Sequence, residues 1–424
     1  MELNNFYKHV VSTYEYINKN IKYSIANTKI NKKIITDELF YKTIIKYINI
    51  PNFLNEIPEK EFNIFNDFFE NLENMSDEHF ITFMNQHGRP LQEYIYDLIE
   101  TKNLPNTILD VINDISLFSE FTCINILNEI LTHDFYVFEY LIQFENTTCN
   151  LKLITKKKIS KKEIQKIICR IFLIQTMFPN YQNKFNVNLY FTDQKKKLPK
   201  YKILGINEIN SGVSIGDINV INIFRKEEML KLLIHEIIHN LDIDNSLRNN
   251  TTDFSKYFNI PREDNYIINE SYTEFLAVLI NSMIFSFEDN NDYNYTLFIK
   301  IIENEKQYTL YQNAKILNHY GFKSIDDFNK PNDNELYKQN TSVFSYFFLK
   351  GALLFNYREF FKIVYTLSDK LKWKPEYSTL FIRILLENSK DTKFLNAIQK
   401  YLNLFSSNKS HQLYNKYTLR MTYK

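Results

Sequence analysis

The sequence predicts an α+β fold, predominantly helical, with a small mixed sheet set just ahead of a buried helix. Three observations carry that reading. Apolar residues recur at helical spacing through most of the 424 residues. Alternation of period two is confined to a window before Met229, as in Asn186-Val187-Asn188-Leu189-Tyr190-Phe191-Thr192. Three of only six glycines (Gly205, Gly212 and Gly216) fall just before the buried helix, where strands must turn.

Taken in order, residues 1–150 read as an N-terminal helical domain. Phe62, Phe65, Phe69 and Leu72 repeat at helical spacing, as do Val111, Ile115 and Phe118, with breaks near Pro51, Pro58, Gly88 to Pro90 and Pro105. No catalytic constellation stands out there, and His79 and His87 read as isolated surface residues. This half could dock a partner, cover a cleft or stabilise the rest of the chain. Residues 151–405 read as a second domain. Ser160-Lys161-Lys162-Glu163 is a capping box opening a helix. After the strand at 186–192, Val213 to Ile215 and Ile218 to Phe224 read as two more, joined through Gly216-Asp217. Arg225-Lys226-Glu227-Glu228 then starts a helix, with Glu227 and Lys231 as an i,i+4 pair on its outer face. It fades into Asp242-Ile243-Asp244-Asn245-Ser246, a polar turn. A second apolar helix runs from Asn269 through Ile280 and completes a 151–300 unit. Residues 301–405 form a helical subdomain holding Trp373, the other wall of a cleft, and 406–424 a polar tail.

Composition narrows the function classes. A net charge of +1 gives no global pull toward nucleic acid or an acidic membrane. The runs Lys156-Lys157-Lys158 and Lys195-Lys196-Lys197 read as solvated loops or helix starts. Three cysteines cannot complete a disulfide framework, so a reducing compartment is expected. The start, Met1-Glu2-Leu3-Asn4-Asn5, lacks the basic region and apolar core of a signal peptide. The most apolar stretch, Val343 to Phe355, is interrupted by Lys350 and Gly351, and reads as a buried helix instead of a membrane span. A cytoplasmic location is expected on these grounds. Abundant Asn, Lys, Ile, Phe and Tyr fit an AT-rich coding genome, so aromatic stripes carry no functional weight here.

The chemistry concentrates in His235-Glu236-Ile237-Ile238-His239, which spells H-E-x-x-H. Residues four apart share a helix face, so both imidazoles can meet one metal ion. Glu236 is thereby aimed beside the metal, where it can serve as general base. Leu232, Leu233, Ile234, Ile237, Ile238 and Leu241 make the helix apolar around this polar triplet. Two histidines and a glutamate buried there need a partner, and one Zn2+ supplies it. Two core histidines satisfied by hydrogen bonds are the competing reading.

A catalytic zinc has three protein ligands and an open position. A third ligand from H-E-x-x-H-x-x-G-x-x-H fails, because Asp242 stands at the Gly position and Asn245 at the last His. Cys123, Cys149 and Cys169 lie far upstream in helical-looking sequence. Asn269-Glu270-Ser271-Tyr272-Thr273-Glu274 fits better: Glu270 and Glu274 share one face of an apolar helix. Glu270 is the expected third ligand. Glu274 is expected to accept a hydrogen bond from a ligand histidine and fix its tautomer. An exposed acidic stripe at a helix start is the alternative.

H-E-x-x-H followed by N-E-x-x-x-E resembles the gluzincin arrangement of thermolysin-like peptidases, with Glu274 where those enzymes often carry Asp. The spacer from 240 to 269 is longer than in the thermolysin group. Asn210-Ser211-Gly212, Arg225-Lys226-Glu227-Glu228, Glu270-Ser271-Tyr272-Thr273-Glu274-Phe275 and Thr341-Ser342-Val343-Phe344-Ser345-Tyr346 resemble segments of metallopeptidases of large DNA viruses. The resemblance covers residues 185–355. It implies a zincin-like catalytic domain and a zinc-dependent endopeptidase acting on a protein or peptide substrate, with Glu236 as base. It implies an oxyanion donor from the C-terminal half: Tyr346 first, then His319, whose other reading is a helix C-terminal residue before the Gly321 cap, with Tyr320 a further candidate. The peptide is expected to bind along a sheet edge near Asn210, Ser211 and Gly212, a stretch that also fits a plain turn. A viral source would place the protein in the host-cell cytoplasm or the virion. Clostridial neurotoxin light chains also pair H-E-x-x-H with a distant Glu, which leaves an intracellular toxin-like protease as an alternative. A catalytically silent zincin-fold binding protein is another, against which the intact Glu236 argues.

Overall fold

The computed structural model describes residues 2–31, 126, 129, 133–178, 184–199, 203–216, 219–248, 252–261, 266–331, 336–367, 371–406 and 417–423. They form an α+β protein dominated by helix. Helix α1 (Glu2–Asn20) leads into strand β1 (Lys22–Asn31), and β2 (Phe135–Phe144) and β3 (Thr147–Thr155) form a hairpin. Helix α2 (Lys161–Met177), β4 (Lys184–Thr192), β5 (Gly212–Ile215) and β6 (Val220–Arg225) come next, then α3 (Met229–Asn240) and α4 (Asn269–Asn290). The C-terminal half holds α5 (Tyr295–His319), α6 (Lys350–Phe355), α7 (Tyr357–Leu367), α8 (Ser378–Ser389) and α9 (Thr392–Ser406). A π-helical turn, Phe344–Leu349, runs straight into α6.

The six strands make one mixed sheet in the order β1-β2-β3-β4-β6-β5. β3, β4 and β6 are parallel to one another, while the outer pairs are antiparallel. The parallel step from β3 to β4 is made by α2, whose start carries the expected capping box at Ser160 and Glu163. The first half of β4 alternates, with Lys184 exposed and Asn186 and Asn188 half-buried, while its second half and most of β6 are buried on both faces. β5 closes the sheet on the side next to α3.

The helical reading of residues 1–150 needs correction. Residues 22–31, 135–144 and 147–155 are strands, and the boundary expected at 150 falls inside β3. The run FYVFEYLIQF of β2 is apolar enough to fit a helix, but its β-branched and aromatic residues pack better on a pleated surface. The two-residue turn Glu145-Asn146 lets the hairpin close, with Glu145 at positive φ. The sheet therefore has twice the three strands expected. The helical patterns at Phe62 to Leu72 and Val111 to Phe118, with His79 and His87, lie outside the described residues.

One continuous apolar core runs from α1 through α2, α3 and α4 to α9. α3 and α4 pack against each other, with α3 also seated on α2, β5 and β6. A buried ion pair ties α1, α2 and α4 together: Arg170 donates to both oxygens of Glu288, at 2.8 and 3.2 Å, and Tyr14 donates to the same carboxylate. Among the described residues no helix is long and apolar enough to cross a membrane. The tail expected from Ser406 also differs, because Leu419, Met421 and Thr422 are buried in the fold. Isolated apolar residues among polar ones gave no period that could announce this.

Candidate metal centre

α3 is buried on nearly every side, and its two histidines project toward the start of α4. His235 Nε2 lies 3.1 Å from His239 Nε2. Glu270 Oε2 lies 3.3 Å from the first and 3.2 Å from the second. The spacing of four brings the two rings to 4.7 Å between centroids, nearly perpendicular. Glu270 reaches them because it stands in the first turn of α4, whose apolar length is locked against α3.

This triangle is the kind a metal ion would span. Each ring has its Nδ1 turned toward a carboxylate, so a neutral ring carries its proton there and presents a lone pair at Nε2. Three acceptors then face one point, which repels unless a cation or added protons lie between them. Donor atoms held 2.0–2.1 Å from one ion in a tetrahedral arrangement stand roughly 3.3 Å apart, close to the observed spacing. His235, His239 and Glu270 thus fit a zinc ion in donor type, number and separation. Without a metal the same demand falls on protons. Burial lowers the His239 pKa, but Asp244 and Glu270 outweigh it and hold the ring well above its usual range. Burial pushes the Glu270 carboxyl up, yet the two histidines hold it far below the usual carboxylate range.

Each imidazole has its own acidic backing. Asp244 Oδ2 accepts from His239 Nδ1 at 2.8 Å and from Asn269 Nδ2 at 2.6 Å. Arg248 donates to Asp244 Oδ1 at 3.1 Å and to the His239 carbonyl at 2.7 Å. The stretch 242–246 read as a plain polar turn, and nothing in its composition marked Asp244 as fully buried. Asn269 directly precedes Glu270, so one hydrogen bond links the turn after α3 to the residue next to the candidate third ligand.

Glu274 lies behind His235, with Oε2 3.0 Å from Nδ1, where a hydrogen bond was expected. That pair is close in distance but not aligned as a hydrogen bond, so its pull is chiefly electrostatic. Both Glu274 oxygens also accept from Lys231 Nζ at 2.8 Å. The surface pair expected between Glu227 and Lys231 is therefore not formed. Lys231 is buried and turned inward to neutralise Glu274, because α4 covers the face of α3 that looked solvent-exposed. Glu227 accepts instead from the Lys196 main chain at 2.8 Å.

Glu236 is 5% exposed and sits against β5. Burial raises its pKa, an effect that Glu270 reinforces and the two histidines oppose. A Cβ at Gly212 would come within 2.9 Å of Glu236 Oε1 and 3.2 Å of its Cγ. Glycine is thus needed where the edge strand crosses the candidate base. Its neighbours do structural work. The Ser211 carbonyl accepts from Phe224 N–H at 2.7 Å, and Asn210 Oδ1 accepts from Thr341 Oγ1 at 2.9 Å.

Tyr346 joins the centre, with its ring centroid 6.1 Å from that of His235. It stands on the π-helical turn, in which Lys350 N–H reaches back to the Ser345 carbonyl. Burial lifts its hydroxyl pKa well above the ordinary value, and the carboxylates of Glu270 and Glu236 lift it further. Tyr320 is committed elsewhere, since its hydroxyl bonds Leu204 N–H and the Lys338 carbonyl. His319 ends α5 just before Gly321, which has positive φ, as the helix-terminal reading has it.

Over 161 aligned residues the chain is 31% identical to the uncharacterized protein R210 of Acanthamoeba polyphaga mimivirus. The match covers 35% of this chain and 39% of that protein, so the chain spans well under half of the relative. The chain is thus similar to a viral protein, which itself assigns no chemistry. No protein-family model and no solved structure matches.

Proposed function

We propose that this protein is a zinc-dependent endopeptidase of gluzincin type, acting on protein or peptide substrates. The observation that carries the reading is the convergence of His235 Nε2, His239 Nε2 and Glu270 Oε2 at 3.1–3.3 Å from one another, with the carboxylate of Glu236 beside them and unused as a ligand. His235, His239 and Glu270 would hold the zinc, which would supply Lewis acidity for a carbonyl and make water acidic enough to ionise near neutral pH.

The chain's own residues supply the rest. Glu236 takes a proton from the attacking water and returns it to the leaving amine; its buried position moves its pKa toward the range a general base needs. Tyr346, kept protonated by its surroundings, donates its hydroxyl to the developing oxyanion. β5 ends the sheet, and its main chain at Gly212 offers an extended peptide a partner strand beside Glu236.

Metal analysis of the purified protein, paired with cleavage of a labelled denatured protein, tests this. The wild type should hold one zinc per chain. Glu236→Gln should keep the zinc and lose turnover, whereas His239→Ala and Glu270→Gln should lose metal affinity. Tight zinc binding by Glu270→Gln would overturn the ligand assignment.

A further inference from the structure

Behind the metal centre lies a group of buried charges that the reaction does not use. Lys196, Lys231, Lys315 and Lys350 are each at most 1% exposed, as is Glu305; Glu274 is fully buried and Glu228 is 7% exposed. Bringing so many charges out of water is costly unless each is paired and hydrogen-bonded. Residues 417–423 supply many of those bonds. Thr422 N–H donates to Glu228 Oε1 at 2.6 Å, and Tyr423 N–H donates to Glu305 Oε2 at 2.8 Å. The Thr422 hydroxyl donates to Glu305 Oε1 at 2.6 Å. In the other direction, Lys350 Nζ donates to the Met421 carbonyl at 2.9 Å and Lys315 Nζ to the Thr418 carbonyl at 2.5 Å. Lys231 Nζ rests 4.0 Å from Met421 Sδ while it holds both oxygens of Glu274.

We propose that residues 417–423 form a strap that belongs to the metal centre without touching it. By fixing Lys231 and Lys350, it holds Glu274 in the position from which that carboxylate backs His235. The chain of contacts runs from the Met421 carbonyl to Lys350 and from the Met421 sulfur to Lys231, then from Lys231 to Glu274, and from Glu274 to a candidate ligand imidazole. The strap is held mainly by polar bonds, with Leu419 and Met421 as its buried apolar anchors. Arg420 of the strap lines a cavity together with Glu228, Met229 and Lys231, which gives water a route to the network once the strap lifts. Rehydrated, Lys231 would hold Glu274 less firmly, and His235 would lose its fixed backing. The inference rests on the metal reading above and adds a condition to it: the site is assembled only while the strap is docked.

The test uses the whole 424-residue chain. Thr422→Pro removes the N–H given to Glu228, Thr422→Val removes the hydroxyl given to Glu305, and Thr422→Ser keeps both. Two readouts are taken well below the unfolding temperature: zinc affinity by chelator competition, and the visible spectrum of the cobalt-substituted protein, which reports ligand geometry. Thr422→Pro should weaken zinc roughly 10-fold, as loss of an outer partner of a ligand does, and shift the cobalt bands. Thr422→Val should move both in the same direction, and Thr422→Ser should match wild type. Ile142→Ala, in the buried core of β2 and outside the network, should lower thermal stability without moving either readout. If the Pro variant does not fold, the Val variant decides. Wild-type affinity and spectrum in the folded variants would overturn the strap while leaving the metal reading intact. A wild type that binds neither zinc nor cobalt would overturn both.

Discussion

Asp244→Asn isolates the contribution of a carboxylate that never reaches the metal triangle. Asp244 is fully buried and holds three donors at once: His239 Nδ1 at 2.8 Å, Asn269 Nδ2 at 2.6 Å and Arg248 Nη2 at 3.1 Å. Asparagine has the same shape but no charge, and its NH2 group must face one of those donors. Either His239 and Asn269, which share Oδ2, lose their acceptor together, or Arg248 loses Oδ1. In the first case the ring can turn or change tautomer, so that Nε2 no longer aims a lone pair at the point it shares with Glu270, and the link between the end of α3 and the start of α4 weakens. In the second, His239 keeps an acceptor, but one that no longer carries a charge. Outer partners of this type are worth about 10–100-fold in metal affinity, which is about 1.4–2.7 kcal/mol. The assay is chelator competition for zinc at fixed pH and salt, with Glu274→Gln measured beside it. An unchanged dissociation constant for Asp244→Asn would refute the argument, because it would mean that His239 is oriented by packing alone.

Three further outcomes are expected. Gly212→Ala should cut turnover while leaving zinc content intact, since the added Cβ lands 2.9 Å from Glu236 Oε1 and not on a ligand; steady-state kinetics with metal analysis check this. In the metal-free protein, the raised pKa of His239 contributes stability that is fully present below the ordinary value of 6.5 and is lost as pH rises through the folded-state value. Thermal melts of metal-free protein should therefore fall as pH rises above 6.5, while zinc affinity climbs over the same window because binding displaces those protons. Arg170→Met, which leaves Glu288 only Lys166 and Tyr14 as partners, should destabilise the fold by about 1–3 kcal/mol in urea unfolding without changing zinc affinity.

How much the sequence disclosed depends on how each feature is encoded. The triangle of His235, His239 and Glu270 was legible because helical spacing brings it together: His235 and His239 are one turn apart, and Glu270 opens a helix too apolar to lie anywhere but in the core. The edge strand at Gly212 was legible from turn residues and alternation. Asp244 was not, because five polar residues after a helix look alike whether they face water or a histidine. Lys231 was misread because an i,i+4 partner was available in the sequence, whereas its real partner, Glu274, is 43 residues away. β1 to β3 were missed because a run such as Phe135-Tyr136-Val137-Phe138 satisfies a helix as readily as a strand, and pairing across the chain decides between them. The burial of Met421 and Thr422 depends on charges contributed by several separate segments, which no local pattern records.

The π-helical turn at Phe344–Leu349 has a consequence for how the chain could lose the proposed activity and gain robustness together. Such a turn carries one residue more than a regular helix needs, and it survives where that surplus is useful. Deleting a single residue after Tyr346 would let the helix run without interruption into Phe355. It would also swing Tyr346 by about 100° around the axis, away from the histidines. A shortened descendant would thus keep its helix, tighten its backbone and, on the proposed function, forfeit its oxyanion donor, which makes the length of this one turn a sign by which working and retired copies could be told apart.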